Sequence, residues 1–191
     1  MKFWLDNFYK NVLETSCSKY SESIPLEDGM KLVSDELLAL REKGGSLWWV
    51  GNGGSAAVCS HLSQDVLGKL KIKSIALTDA ALLTCGANDF GYENVYVHPL
   101  NILMTEGDLI IAISSGGNSQ NILNACELAK ARNVKIISLS GFSDQNKLKN
   151  LDHFLHFHLN SDSYGHVEVG HELLLHCIIE NSSKSVSLEC E

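Results

Sequence analysis

Two stretches decide how this chain folds: LWWVGNGGSAA at 47–57 and LIIAISSGGNSQN at 109–121. Each opens with an apolar run, passes through a loop of Gly, Ser and Asn, and continues into a segment of helical character. An unbroken apolar run predicts a strand buried on both faces, because a strand with one wet face would alternate polar and apolar residues. A strand that feeds a helix through a short loop is the repeating unit of a parallel sheet with right-handed crossovers. Working outward, short apolar runs at 46–50 (SLWWV), 73–77 (KSIAL), 108–113 (DLIIAI), 134–139 (VKIISL) and 153–158 (HFLHFH) alternate with helical segments. The reading is one α/β domain over 1–191 with its core at 45–182. Residues 1–44 read as a pair of helices, from the spacing of Leu5, Phe8, Tyr9, Val12 and Leu13 and of Met30, Val33, Leu37 and Leu40. Pro25 suits the first turn of the second helix, and Gly44-Gly45 ends it. A last apolar helix covers about 166–182, and 183–191 reads as a frayed tail.

Composition narrows the function classes. The chain has 191 residues, 45% hydrophobic and 20% charged, with two prolines and 15 glycines, which fits a globular domain with a real core. No apolar run reaches the roughly 20 residues that span a bilayer. The opening MKFWLDNFYK is broken by Asp6 and Lys10, so it does not read as a secretory signal. A net charge of −8 repels a phosphate backbone, so neither a nucleic acid nor a membrane is an expected partner. Six cysteines without a C-x-x-C pair read as reduced thiols, and the expected location is the cytoplasm.

The two loops carry the first chemistry. At the carboxyl ends of parallel strands they would present backbone amides and the hydroxyls of Ser55, Ser114, Ser115 and Ser119 to one crevice. Helix N-termini behind them add partial positive charge, which suits a phosphate. Two tight turns with no ligand are the plain alternative. Gly51-x-Gly53-x-x-Ala56 also matches the dinucleotide fingerprint, with Asp79 placed as a ribose acceptor, but that reading leaves the second loop unexplained. A Walker A loop is excluded, since no G-K-[ST] follows either glycine cluster.

Titratable residues on two helices carry the second. His61 and Asp65 are four apart and share a face. Glu168, Glu172 and His176 also advance by four along the last helix, which holds His171 as well. This stripe is either a solvated face beside a core histidine, or it meets the first helix. In the second case His61, Asp65, Glu168 and His176 form a site for zinc or a similar divalent ion, or an acid/base pair. No H-E-x-x-H pattern decides between these. His98, His153, His156, His158 and His166 have no assigned role, and the three on or beside the 153–158 strand read as structural.

GNGGSAA with His61 six residues after Ser55, then TCGANDFGYE at 84–93, then ISSGGNS at 113–119, resembles the SIS (sugar isomerase) domain family, and within it the bacterial phosphoheptose isomerases. The resemblance runs in order over about 25–182. It implies a three-layer αβα sandwich with a five-stranded parallel sheet, and a homotetramer whose active sites lie between subunits, the N-terminal helices serving assembly. It also implies conversion of sedoheptulose 7-phosphate to D-glycero-D-manno-heptose 7-phosphate. Carried over residue by residue, the sugar-phosphate substrate would be held by Asn52, Gly53, Ser55, Asp89, Ser114, Ser115, Ser119 and Glu168. His61, Asp65, Glu168 and His176 would hold a divalent metal, with zinc the expected ion, and Asp65 and His176 would share proton transfer through an enediolate.

Four positions depart from the family's usual residues: Asp65 for Glu, Glu168 for Gln, Gly116 for Ser and Lys69 for Arg. Asp is one methylene shorter, and a displacement of about 1 Å can cost on the order of 100-fold in rate. Glu168 adds a negative charge that strengthens cation binding and raises the pKa of neighbouring acids. Gly116 removes a hydroxyl but keeps its amide. The alternatives are an isomerase for another phosphosugar, a non-catalytic SIS protein that binds a sugar phosphate or docks a partner, and the nicotinamide-dependent oxidoreductase suggested by the glycine fingerprint.

Overall fold

The computed structural model describes residues 1–188. Helix α1 (Lys2–Leu13) and helix α2 (Leu26–Lys43) flank a hairpin of β1 (Ser16–Lys19) and β2 (Glu22–Ile24). The apolar runs then form β3 (Ser46–Gly51), β4 (Lys73–Ala76), β5 (Leu109–Ser114), β6 (Lys135–Gly141) and β7 (Leu155–Leu159). Between and after them run α3 (Gly54–Asp65), α4 (Ala80–Phe90), α5 (Val97–Leu103), α6 (Gln120–Ala131) and α7 (Tyr164–Leu188). The sheet order is β2-β1-β7-β6-β5-β3-β4, in which β3 to β7 are mutually parallel.

Alternate residues of each strand feed opposite layers. Leu47, Trp49, Ile111 and Ile113 pack with Val33, Leu37, Leu62, Leu175 and Ile178 under α2, α3 and α7. Trp48, Val50, Ile110 and Ala112 pack with Leu100, Ile122, Ala125 and Ala129 under α5 and α6. All six residues of β5 are buried, as an apolar run in a central strand requires. This is the three-layer αβα sandwich with a five-stranded parallel core. The chain runs outward from β3 to β4 and then returns to β5 on the other side, so the strand order reverses between β3 and β5. Open α/β sheets bind ligands at the carboxyl ends of strands where the order reverses, and both small-residue loops leave the sheet at that point.

The hairpin corrects the reading of 1–44 as helix alone. β1 adds antiparallel to β7, with Ser16 opposite His158 and Ser18 opposite His156, and extends the sheet to seven strands. SCSK and ESI carry too little apolar alternation to read as strands, since only Cys17 and Ile24 face the apolar core while Ser16 and Ser18 lie on a polar face. On that face Ser138 Oγ bonds His153 Nδ1 at 3.1 Å and His156 Nδ1 at 2.7 Å. Ser140 Oγ bonds His156 Nε2 and His158 Nδ1, both at 3.0 Å. These hydrogen bonds give each of the three buried imidazoles at least one partner, while His158 Nε2 stays buried without one.

Two further boundaries differ from expectation. The last helix starts at Tyr164 and continues through Leu188, so 183–188 is helical rather than frayed, while 189–191, with Cys190, lies outside the described residues. The apolar stripe of α1 is not core either: only Val12 of that helix is buried, and Leu5, Tyr9 and Leu13 are exposed. Gly44 ends α2 in the left-handed conformation that favours glycine. Among the described residues no helix is long and apolar enough to cross a membrane.

Candidate active site

The first loop turns on glycine. Gly53 sits at φ +54° at the entrance to α3, and a Cβ on Gly51 would stand 2.9 Å from the backbone of Ser55. Only a residue without a side chain lets the strand approach the helix so closely, which delivers Ser55, 4% exposed, to the crevice. In the second loop the Gly117 amide donates to the Ser114 carbonyl at 3.0 Å, closing a turn that brings Ser114 Oγ to 3.5 Å from Ser119 Oγ. Neither α3 nor α6 has a side-chain cap at its first turn. First-turn amides without an internal acceptor are then available to a ligand in the crevice, the Ile122 amide of α6 excepted, which donates to Asn121 Oδ1 at 3.0 Å.

These residues line one cavity of about 410 Å³, bounded by Asn52, Ser55, Ser114, Ser115, Gly116, Ser119 and Glu168 among others. Backbone amides, hydroxyls and two helix N-termini make it a cradle for an anion such as phosphate. Asn52 is committed to structure as well. Its amide exchanges hydrogen bonds of 2.9 and 2.8 Å with Asn121, and its Oδ1 also accepts from the Tyr92 hydroxyl at 3.0 Å. The buried Tyr96 hydroxyl donates to the Gly51 carbonyl from below, and burial pushes its phenol pKa up. Asn121, Tyr92 and Tyr96 thus support the loop. The sequence singled out none of them, because lone polar residues inside helical segments carry no spacing signal.

Helices α3 and α7 lie against each other and carry the titratable cluster. The His61 and His176 rings are 5.2 Å apart, and His176 Nδ1 lies 3.7 Å from Asp65 Oδ2. Asp65 accepts a 2.8 Å hydrogen bond from Lys69 Nζ. That bond, supported by the charges of Lys69, His61 and His176, holds the carboxyl below the usual carboxylate range. His176 Nδ1 is buried without a hydrogen-bond partner, so it is free to serve as a ligand or a proton acceptor.

Glu168 lines the cavity, where its substrate-binding role was expected, but stands apart from the imidazoles, and Asp89 stands apart from the cavity. Glu168 lies one helical turn above the cluster, with its carboxylate in the space a Cβ of Gly54 would fill, so it faces the cradle rather than the imidazoles. The Glu172 carboxylate lies beside the imidazoles instead, and it and the ring nitrogens of His61 and His176 all lie within 4.8 Å of one another. Asp89 is exposed on the last turn of α4, where it accepts hydrogen bonds from Cys85 Sγ at 3.3 Å and from Asn88, and it does not line the cavity. Gly53 is exposed at the loop crest, and Ser55, Ser114, Ser115 and Ser119 meet as expected.

A parallel sheet that opens a hydroxyl-lined crevice at its strand reversal, with imidazoles and carboxylates on the adjoining helices, defines the class of phosphate-binding α/β domains with titratable groups near the anion. A SIS domain model matches residues 8–141. The chain belongs to the SIS domain family. It is 31% identical over 182 residues to a phosphoheptose isomerase of Campylobacter concisus, covering 92% of this chain and 95% of the relative. The phosphoheptose isomerase of Helicobacter pylori is likewise 31% identical, over 92% of this chain and 94% of its own length. A solved phosphoheptose isomerase structure from Neisseria gonorrhoeae superposes with a TM-score of 0.83 at 24% identity, over 96% of each chain, and this likeness supports the fold.

Proposed function

We propose that this chain is an aldose–ketose isomerase that interconverts sedoheptulose 7-phosphate and D-glycero-D-manno-heptose 7-phosphate, working as a single SIS domain. The observation that carries the reading is the convergence of His61 and Asp65 on α3 with His176 on α7, further along the same α3 helix that begins at the serine cradle. From Ser55 to His61 the helix rises about 9 Å. That is the order of length of an extended seven-carbon chain, so a phosphate at one end leaves the carbonyl end at the cluster. The name that the curated relatives carry agrees with this reading.

In the proposed mechanism Ser55, Ser114, Ser115 and Ser119 bind the phosphate and fix the register of the sugar, so remote binding energy orients the reacting carbons. Asp65, kept ionised by Lys69, takes the proton from the carbon next to the ketose carbonyl, and the electron pair forms the enediolate. The same proton returns to the neighbouring carbon, while the His176 ring moves a proton between the two oxygens. Such positioned groups contribute about 10²–10⁴-fold each. Two imidazoles, one with an orphaned ring nitrogen, and nearby carboxylates fit a divalent ion, and zinc suits this donor set. A bound ion would polarise the carbonyl and stabilise the enediolate oxygens.

The same reading extends to the assembly. Phe3, Leu5, Tyr9 and Leu13 of α1, with Val169 and Leu173 of α7, leave an apolar surface exposed on one chain, and we propose that a homotetramer covers it. Five unpaired cysteines among the described residues accord with a cytoplasmic enzyme. The test is NMR of sedoheptulose 7-phosphate incubated with the zinc-loaded protein. Aldose signals are expected, and Asp65→Asn or His176→Asn should each lower kcat by about 100-fold or more with little change in KM. Full turnover in both variants overturns the mechanism. Binding without conversion of any heptose or hexose phosphate makes the protein a sugar-phosphate receptor.

A further inference from the structure

We propose that Glu172, rather than Glu168, supplies the carboxylate that completes the ion site with His61 and His176, and that Glu168 is thereby released to act on the sugar. The inference rests on the isomerase reading only in taking this cluster for an ion site. Among the described residues, His61, Glu172 and His176 form the one group of three ligating side chains whose donor atoms all lie within 4.8 Å of one another. Glu172 and His176 are four residues apart on α7, with Glu172 Oε1 4.0 Å from His176 Nε2. His61 enters from α3 with its ring 5.2 Å from that of His176. Two imidazoles and one glutamate are a known zinc donor set that leaves a coordination position open for substrate.

The two other carboxylates are occupied differently. Asp65 is engaged by Lys69 at 2.8 Å, and Lys69 also lies 4.0 Å from Glu180. Lys69 occupies one of its two oxygens and draws the carboxylate along α3, and Asp65 is not among the three side chains whose donor atoms gather within 4.8 Å. Glu168 lies a full turn away, against Gly54 at the start of α3, on the wall of the phosphate cavity. A phosphate in the cradle repels a second anion, so Glu168 suits a neighbouring hydroxyl group: an acceptor-only carboxylate selects a donor. The substitution of charge at 168 and the carboxylate at 172 then explain each other, one reading the sugar and the other holding the ion.

The experiment compares zinc affinity in the full-length wild type, Glu172→Ala and Glu168→Ala, by competition with a chromophoric chelator. Visible absorption of the cobalt-substituted proteins serves as a second readout, and circular dichroism confirms that each variant is folded. The expected result is a loss of about 100-fold or more in zinc affinity and a changed cobalt spectrum for Glu172→Ala. For Glu168→Ala the affinity should stay within about threefold and the spectrum unchanged, with a raised KM for the sugar phosphate. Undiminished affinity in Glu172→Ala overturns the inference, as does a loss confined to Glu168→Ala or a wild type that binds no zinc. Each of these outcomes is read without turnover. Failure here is therefore distinct from failure of the isomerase reading, which shows as absent conversion by a protein that does hold zinc.

Discussion

Asn121 illustrates how much of the crevice depends on a residue that touches no ligand. It is 2% exposed, and its amide makes reciprocal hydrogen bonds with Asn52 while its Oδ1 also accepts from the Ile122 amide. Asn121→Ala strands the Asn52 amide beside the buried Tyr96, and an unsatisfied buried polar group costs about 1–3 kcal/mol. The expected result is an unfolding free energy lowered by about that amount, seen as a lower urea midpoint at unchanged m-value, with a raised KM, because Asn52 anchors the first loop. An unchanged midpoint would show that water replaces the lost partner. The serines of both loops were legible in the sequence because small residues between a buried strand and a helix have few other uses. Asn121 was not, since one asparagine in a helical segment looks like any surface residue. Glu172 was visible as part of a stripe, but the choice between 168 and 172 depends on how α7 is rotated against α3, which a period of four cannot specify.

The element that escaped sequence reading is the β1–β2 hairpin, while the five parallel strands declared themselves through apolar runs. Its two strands are short and mostly polar, and one face they extend is built from hydroxyls and imidazoles, not from aliphatic side chains. Its turn holds Tyr20 at φ +45° and Ser21 at φ +67°, a pair of left-handed conformations that a two-residue hairpin demands and that Asn-Gly normally supplies. A non-glycine residue in this region costs roughly 1–2 kcal/mol. Replacing Tyr20-Ser21 by Asn-Gly should therefore stabilise the protein by about 1 kcal/mol, seen as a higher urea midpoint. Loss of the edge-on contact between Tyr20 and Phe154, whose ring centroids are 5.8 Å apart, offsets part of the gain. A lower midpoint would mean that this contact outweighs the turn strain. Helix α1 teaches the complementary lesson: its apolar period was readable, but period alone does not say whether the stripe faces the chain's own core or another copy.

Over the whole molecule β7 and its approach, with α7 packed beside them, act as a store of neutral imidazoles. His153, His156, His158 and His171 all have pKa values lowered chiefly by desolvation, with His158 and His171 pushed down to about 4. In the unfolded chain an imidazole titrates near 6.5, so between pH 6.5 and 4 the unfolded state binds protons that the folded state refuses. Stability from these groups is complete above pH 6.5 and falls as pH drops toward 4. At pH 5 a fully buried histidine shifted to about 4, as His171 is, has lost roughly 2 kcal/mol of its contribution, a large share of a total of 5–15, and the less deeply buried His158 adds a smaller loss. Asp65 and Asp89, whose carboxyl pKa values are lowered, act in a separate window below their unfolded values near 3.9. Urea unfolding at pH 7.5, 6 and 5, at fixed protein concentration so that any assembly contributes equally, should show a midpoint that falls steadily below pH 6.5. His171→Gln should flatten that slope by about one proton, because His171 is fully buried and its Nε2 contacts only the Ser140 carbonyl among the described residues, at 3.0 Å. A midpoint independent of pH between 7.5 and 5 would show that these imidazoles take up protons as readily in the folded state as in the unfolded chain, and would overturn this reading.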